Sequence, residues 1–155
     1  MGFLATLWIP ILLSAVLVFV VSSLIHMLLT YHKGDFKKLP NEDAFMEALR
    51  KFDIPVGDYH VPHCDSAKAM KSPEFVEKMT KGPVVLLTFM KTGKPNMGRS
   101  LLLWFLYSVI VNVFSAYIAD RAVGPGANYL NVFRFVGCSA FMGYSLALLQ
   151  NSIWY

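Results

Sequence analysis

His60, His63 and Cys64 form an H-x-x-H-C run with Asp65 beside it. Imidazole nitrogen and thiolate sulfur are proper ligands for zinc or copper. Pro62 interrupts the run, however, and no second ligand pair follows it, whereas a structural zinc site takes four ligands. The run therefore reads as loop histidines before it reads as a metal centre, and no cofactor is expected. His26 is a different case, because it lies at the end of a long apolar stretch, one turn after Ser22. An ionisable group inside a membrane span is a functional candidate. Tyr31, about five residues on, places His26 close to the polar interface, where such a group is tolerated. The other apolar stretches hold no histidine, so a haem held by two histidines between helices is disfavoured.

Other chemical signatures are missing. Lys91-Thr92-Gly93 has the letters of a penicillin-binding motif without its Ser-x-x-Lys and Ser-Asp-Asn partners, and reads as a turn. There is no Walker A loop, no G-x-G-x-x-G and no zincin helix. Cys64 falls in a polar stretch and Cys138 in an apolar one, so no disulfide framework is implied.

The elements that must carry these residues follow from composition. The chain has 155 residues, 55% hydrophobic and only 15% charged, where a soluble domain carries about 25% charged residues. Much of the surface is therefore not expected to face water. The first apolar run, Phe3 to Leu29, contains no charge and at about 27 residues exceeds the roughly 20 that cross a bilayer core. It is also too long for a signal peptide, and no small-residue cleavage site closes it, so a retained span is expected. Ser100 to Ala119 and Tyr129 to Leu149 give two more spans. Gly124-Pro125-Gly126 breaks them into an antiparallel helical hairpin. Trp8, Tyr31, Tyr129, Trp154 and Tyr155 fall near span ends, the depth amphipathic rings prefer. The fold class expected is all-α membrane, with a small α+β polar insertion between the first and second spans. Its divisions are residues 1–31 for the first transmembrane helix, 32–99 for the polar cap and 100–155 for the hairpin.

The formal charge is +4, and nearly all the charged residues lie between residues 32 and 99. It bears on orientation rather than on nucleic acid, and no nucleic-acid partner is expected. Lys33, Lys37, Lys38, Lys91, Lys94 and Arg99 flank the first two spans on one side, against Arg121 on the other. The positive-inside rule then places the insertion in the cytoplasm and the N-terminus outside. Within the insertion, Asn41 precedes Glu42 and Asp43 as a helix cap, and Phe45, Ala48, Leu49 and Phe52 make one apolar stripe. Ser72-Pro73-Glu74 opens a second short helix. Val84 to Met90 suits a strand, with Tyr59 to Val61 as its partner.

In the hairpin, Ser108, Asn112, Ala116 and Asp120 repeat every four residues along one face of the second span. Ser139, Gly143 and Ala147 make a small-residue stripe on the third, the kind that lets helices approach closely. Arg134 and Cys138 fall roughly 150° around the axis from that stripe. One neighbour cannot satisfy both faces, so the third span is expected to sit between two partners: the second span, and either the first span or a different subunit. Asn112, Asp120 and Arg134 could form a polar track for an ion. The structural reading, in which Arg134 snorkels toward Asp120, is preferred.

Gly57-Asp58-Tyr59-His60-Val61-Pro62, Gly82-Pro83-Val84, Pro95-Asn96-Met97-Gly98 and Asn131-Val132-Phe133-Arg134-Phe135 together give the chain its resemblance to small uncharacterised bacterial inner-membrane proteins, a family of unknown function. The resemblance implies a bacterial membrane location and no particular activity. The function expected is non-catalytic: an accessory or self-assembling subunit of a membrane complex, with the lipid bilayer, itself or other membrane subunits as partners. The alternatives are an oligomeric small transporter or channel, which flux in liposomes would reveal, and a metal-dependent membrane enzyme using His60 and His63, which metal analysis would reveal.

Overall fold

A computed structural model describes residues 2–154, and the side chains of all of these except Tyr31, His32 and Trp154. The expected interfacial placement of the Tyr31, Trp154 and Tyr155 rings lies outside the described residues. The chain divides into two units, one made of residues 1–35 and 96–155 and the other of residues 36–95.

The first unit is helical. Helix α1 runs Phe3–Leu28 and contains Pro10. The later helix α4 runs Met97–Val123. The last apolar stretch starts as α5, Tyr129–Phe141, widens into a π-helical turn at Met142–Leu146, and finishes as α6, Leu148–Trp154. Three helices, Phe3–Leu28, Met97–Val123 and Tyr129–Ile153, are long and apolar enough to cross a membrane. At 1.5 Å per residue the first two are about 39–40 Å long, against a hydrocarbon core of about 30 Å. Their ends are set by local chemistry. The Asn96 side chain accepts from the Arg99 N–H at 3.0 Å and so caps α4. The Asn128 side chain accepts from the Asn131 N–H at 3.0 Å and caps α5. Gly124 and Gly126 adopt φ of 64° and 80°, where a Cβ would be strained, and this stops α4 and turns the chain.

Helix α4 is the centre of this unit, with α1 and α5 both packed on it. The buried positions Ser108, Val111, Ser115 and Ala119 lie along α4, and Ile11 and Ala15 are their counterparts on α1. Within the chain the second span, rather than the third, packs against both others; the third span meets the second as expected, and a different subunit remains the alternative for its other face. The outward faces carry exposed Leu12, Leu13, Leu17, Leu102, Leu103 and Ile110. An exposed apolar surface of that extent is the kind that marks a protein or membrane contact.

The second unit contains α2 (Glu42–Arg50), α3 (Pro73–Lys81) and an antiparallel pair of strands, β1 (Gly57–Val61) and β2 (Val85–Phe89). The register sets Tyr59 opposite Leu87 and Val61 opposite Val85. The Tyr59 and Phe89 rings meet edge to face at 5.7 Å. Ser72 caps α3 by accepting from the Phe75 N–H at 3.2 Å, and Pro73 occupies the first helical position, where its missing N–H costs nothing. Asn41 departs from expectation. Its backbone is left-handed, at φ 53° and ψ 46°, and its side chain makes no cap bond. Glu42 and Asp43 alone supply negative charge at that positive helix end. The stripe on α2 is likewise not buried, for Phe45 and Phe52 are exposed. A two-stranded sheet with two short helices offers too little apolar surface to close a core over them.

Candidate functional site

The densest polar cluster of the helical unit lies where α4 meets the π-helical turn. It starts with hydroxyls and an amide on an apolar helix, where a buried polar group left without a partner is costly. Ser108 is fully buried, and its hydroxyl donates to the Trp104 carbonyl at 3.0 Å. The Asn112 amide donates to the Ser108 carbonyl at 2.8 Å and to the Tyr144 hydroxyl at 3.3 Å. That hydroxyl in turn donates to the Ser108 carbonyl at 3.3 Å. The Tyr107 hydroxyl donates to the Gly143 carbonyl. Trp104 stacks on Tyr107 at 5.5 Å, and Tyr107 meets Tyr144 edge to face at 5.8 Å. Aromatic pairs of this geometry are worth about 0.5–1.5 kcal/mol beyond their burial.

The π-helical turn belongs to this cluster. A side-chain hydroxyl bonded to the Gly143 carbonyl competes with the helix's own donors, and such bulges occur where the regular ladder is interrupted. Gly143 also lets the helices close. A Cβ built there would stand 2.8 Å from Val111 Cγ1 and 3.3 Å from Cγ2. Ser139, on the same side, is buried and donates to the Phe135 carbonyl at 2.7 Å. Ala147 is exposed and does not continue the stripe. The wider π turn sets the residues beyond it back by about one position, some 100° around the axis, which carries Ala147 off the contact face.

The remaining candidates are dispersed. Asp120 is half-buried near the end of α4, while Arg134 and Cys138 are exposed on α5. Among the described residues Arg134 makes no ion pair with Asp120. The guanidinium of Arg121 instead lies 5.5 Å over the Tyr117 ring. His26 donates from Nδ1 to the Ser22 carbonyl at 2.8 Å. It borders an apolar cleft of about 530 Å³ shared by Ser22, Ser23, Leu101 and Trp104. In the second unit, His60 Nδ1 donates to the Pro62 carbonyl at 3.0 Å, His63 Nε2 meets Asp65 Oδ1 at 2.8 Å, and the Cys64 thiol donates to the Ser66 carbonyl at 3.2 Å. His60, His63 and Cys64 are thus not gathered around a point. Among the described residues no group of three or more histidine, cysteine or carboxylate side chains is placed to hold a metal ion. Glu74 borders the same pocket as His63 and Cys64, but it is bonded to Lys78 at 2.6 Å. The hydrogen bond and positive charge of Lys78 hold its carboxyl below the usual glutamate range.

Sequence reasoning found Asn112, Ser108 and Gly143 and missed Tyr144 as their partner. The available signal was a tyrosine in the middle of an apolar run, whose hydroxyl needs a partner wherever its ring is covered. The cluster offers neutral hydroxyls, an amide and ring faces, groups suited to holding two helices together. No protein-family model, curated protein or solved structure matches the chain.

Proposed function

We propose that the chain is a small polytopic membrane protein that acts by assembly rather than by catalysis, as an accessory or self-assembling subunit of a membrane complex in a bacterial inner membrane. In this reading α1, α4 and the α5–α6 rod cross the bilayer. The lysine-rich insertion lies in the cytoplasm and the N-terminus outside, following the charge bias of the loops. The observation that carries the reading is the split between the two faces of α5. Ser139 is buried and Gly143, just beyond the end of α5, closes on Val111 of α4, whereas Arg134 and Cys138 are exposed on the outside. A charge left in hydrocarbon costs at least about 2.5–3.5 kcal/mol even on the lenient insertion scale. Arg134 therefore calls for an acidic or hydrogen-bonding group from a second subunit. The test is the mass of the purified protein in mild detergent or native nanodiscs. Wild type and Arg134→Lys should run as a complex, and Arg134→Leu should fall to a single chain. A wild type that is a single chain in both settings, with no co-purifying subunit, overturns the proposal.

A further inference from the structure

Several helical hydroxyls of this chain bond to the carbonyl four residues back. Ser23 bonds to Phe19, Thr80 to Val76, Ser108 to Trp104 and Ser139 to Phe135. Ser14 and Ser115, both in the helical unit, do not. Ser115 is only 2% exposed and its hydroxyl has no partner. Ser14 makes no hydrogen bond among the described residues. Both line one cavity of about 130 Å³, where α1, α4 and α5 converge, together with Asn112, Ile11 and Val136. A buried hydroxyl left unbonded costs about 1–3 kcal/mol.

We propose that this cavity is an internal hydration site, in which water bridges Ser14, Ser115 and the amide oxygen of Asn112, whose N–H groups are already taken by Ser108 and Tyr144, across the helices. The volume suffices, since about 10–15 Å³ measured this way accommodates one water, and the site supplies the two to four polar partners a water needs. The surroundings are neutral, which favours a neutral hydrogen-bonding guest over an ion. Access also fits. Ala119, on the cavity wall, is four residues from the end of α4, and Val132 is three residues from the start of α5. Both therefore lie within about 6 Å, along the helix axis, of the ends that flank the hairpin turn. The site is a wet inlet at one end of the bundle, and it does not depend on whether the chain assembles.

The experiment is radiolytic hydroxyl labelling of the full chain in phospholipid nanodiscs, which oxidises side chains next to bound water. Ile11 and Val136 should be labelled above Val111, which is 7% exposed and does not border the cavity. Ser115→Val should abolish the excess at Ile11 and leave labelling of the polar unit unchanged. Where that variant loses its helical signal, Ser115→Ala, which deletes the hydroxyl alone, takes its place. Labelling of Ile11 no higher than that of Val111 overturns the proposal, as does labelling that ignores the Ser115 substitution. A dry cavity would also betray itself by taking up xenon, seen as shifts of the Ile11 and Val136 methyl resonances, and that result equally overturns it.

Discussion

Replacing Gly143 with alanine adds one methyl group where α4 and α5 touch. Built on the existing backbone, its carbon would stand 2.8 Å from Val111 Cγ1, closer than real carbon atoms approach. Val111 cannot easily yield, because it is 7% exposed and a β-branched side chain in a helix has one strongly preferred rotamer. Forcing an extra methyl into a packed contact costs about 1–3 kcal/mol. Alanine also gains about 1 kcal/mol of helix propensity over glycine, which would blur the measurement taken alone. Gly137 removes that ambiguity. It lies on the same helix, and a Cβ there meets nothing within 4 Å. The difference between Gly143→Ala and Gly137→Ala therefore isolates the clash, at about 1–3 kcal/mol or 5- to 150-fold in the unfolding equilibrium. Reversible denaturation in mixed micelles, followed by tryptophan fluorescence, reads this difference directly. Adding Val111→Ala to Gly143→Ala should recover part of the loss, a coupling that distant sites do not show. If Gly143→Ala proves as stable as Gly137→Ala, the close approach of these helices is wrong.

Tyr144→Phe removes the hydroxyl that joins Asn112 to the Ser108 carbonyl, and the same denaturation should show a loss of about 0.6–1.7 kcal/mol. Ser72→Ala should destabilise α3 by about 0.5–2 kcal/mol, visible as faster amide exchange over 73–81 with no change in α4. In the proposed orientation a membrane-impermeant maleimide added to intact cells should leave both cysteines unmodified, Cys64 because the insertion would lie in the cytoplasm and Cys138 because it would lie within a span. A lipid-soluble maleimide should modify Cys138, and strong labelling of Cys64 by the impermeant reagent would reverse the orientation. Metal analysis of the purified protein should find no stoichiometric zinc or copper that a His63→Ala variant loses.

The long helices were legible because hydropathy and length are local sums, and Gly124, Asn128 and Asn96 mark their ends in the sequence itself. The strand pair and the Ser72 cap were legible for the same reason. Which helix takes the centre was not. That depends on how far each helix rotates about its axis, and α1 is apolar all round, so its sequence does not say which side meets α4. Ala147 was misplaced because four-residue spacing assumes an unbroken helix, and the bond from Tyr107 to Gly143 that accompanies the break joins residues far apart in sequence. Asn41 has the composition of a cap, but its left-handed backbone turns the side chain away from the helix it precedes.

The bond from the Asn112 amide to the Ser108 carbonyl joins two residues of the same helix. A chain is made from its amino end, so in the proposed membrane setting α4 emerges before Tyr144 exists. Because Ser108 already accepts from it, the amide is half occupied during that interval, and α4 can leave the translocation machinery without waiting for its neighbour. The tyrosine arrives later and locks a helix that was already tolerable to lipid, so the order of synthesis and the order of adhesion coincide.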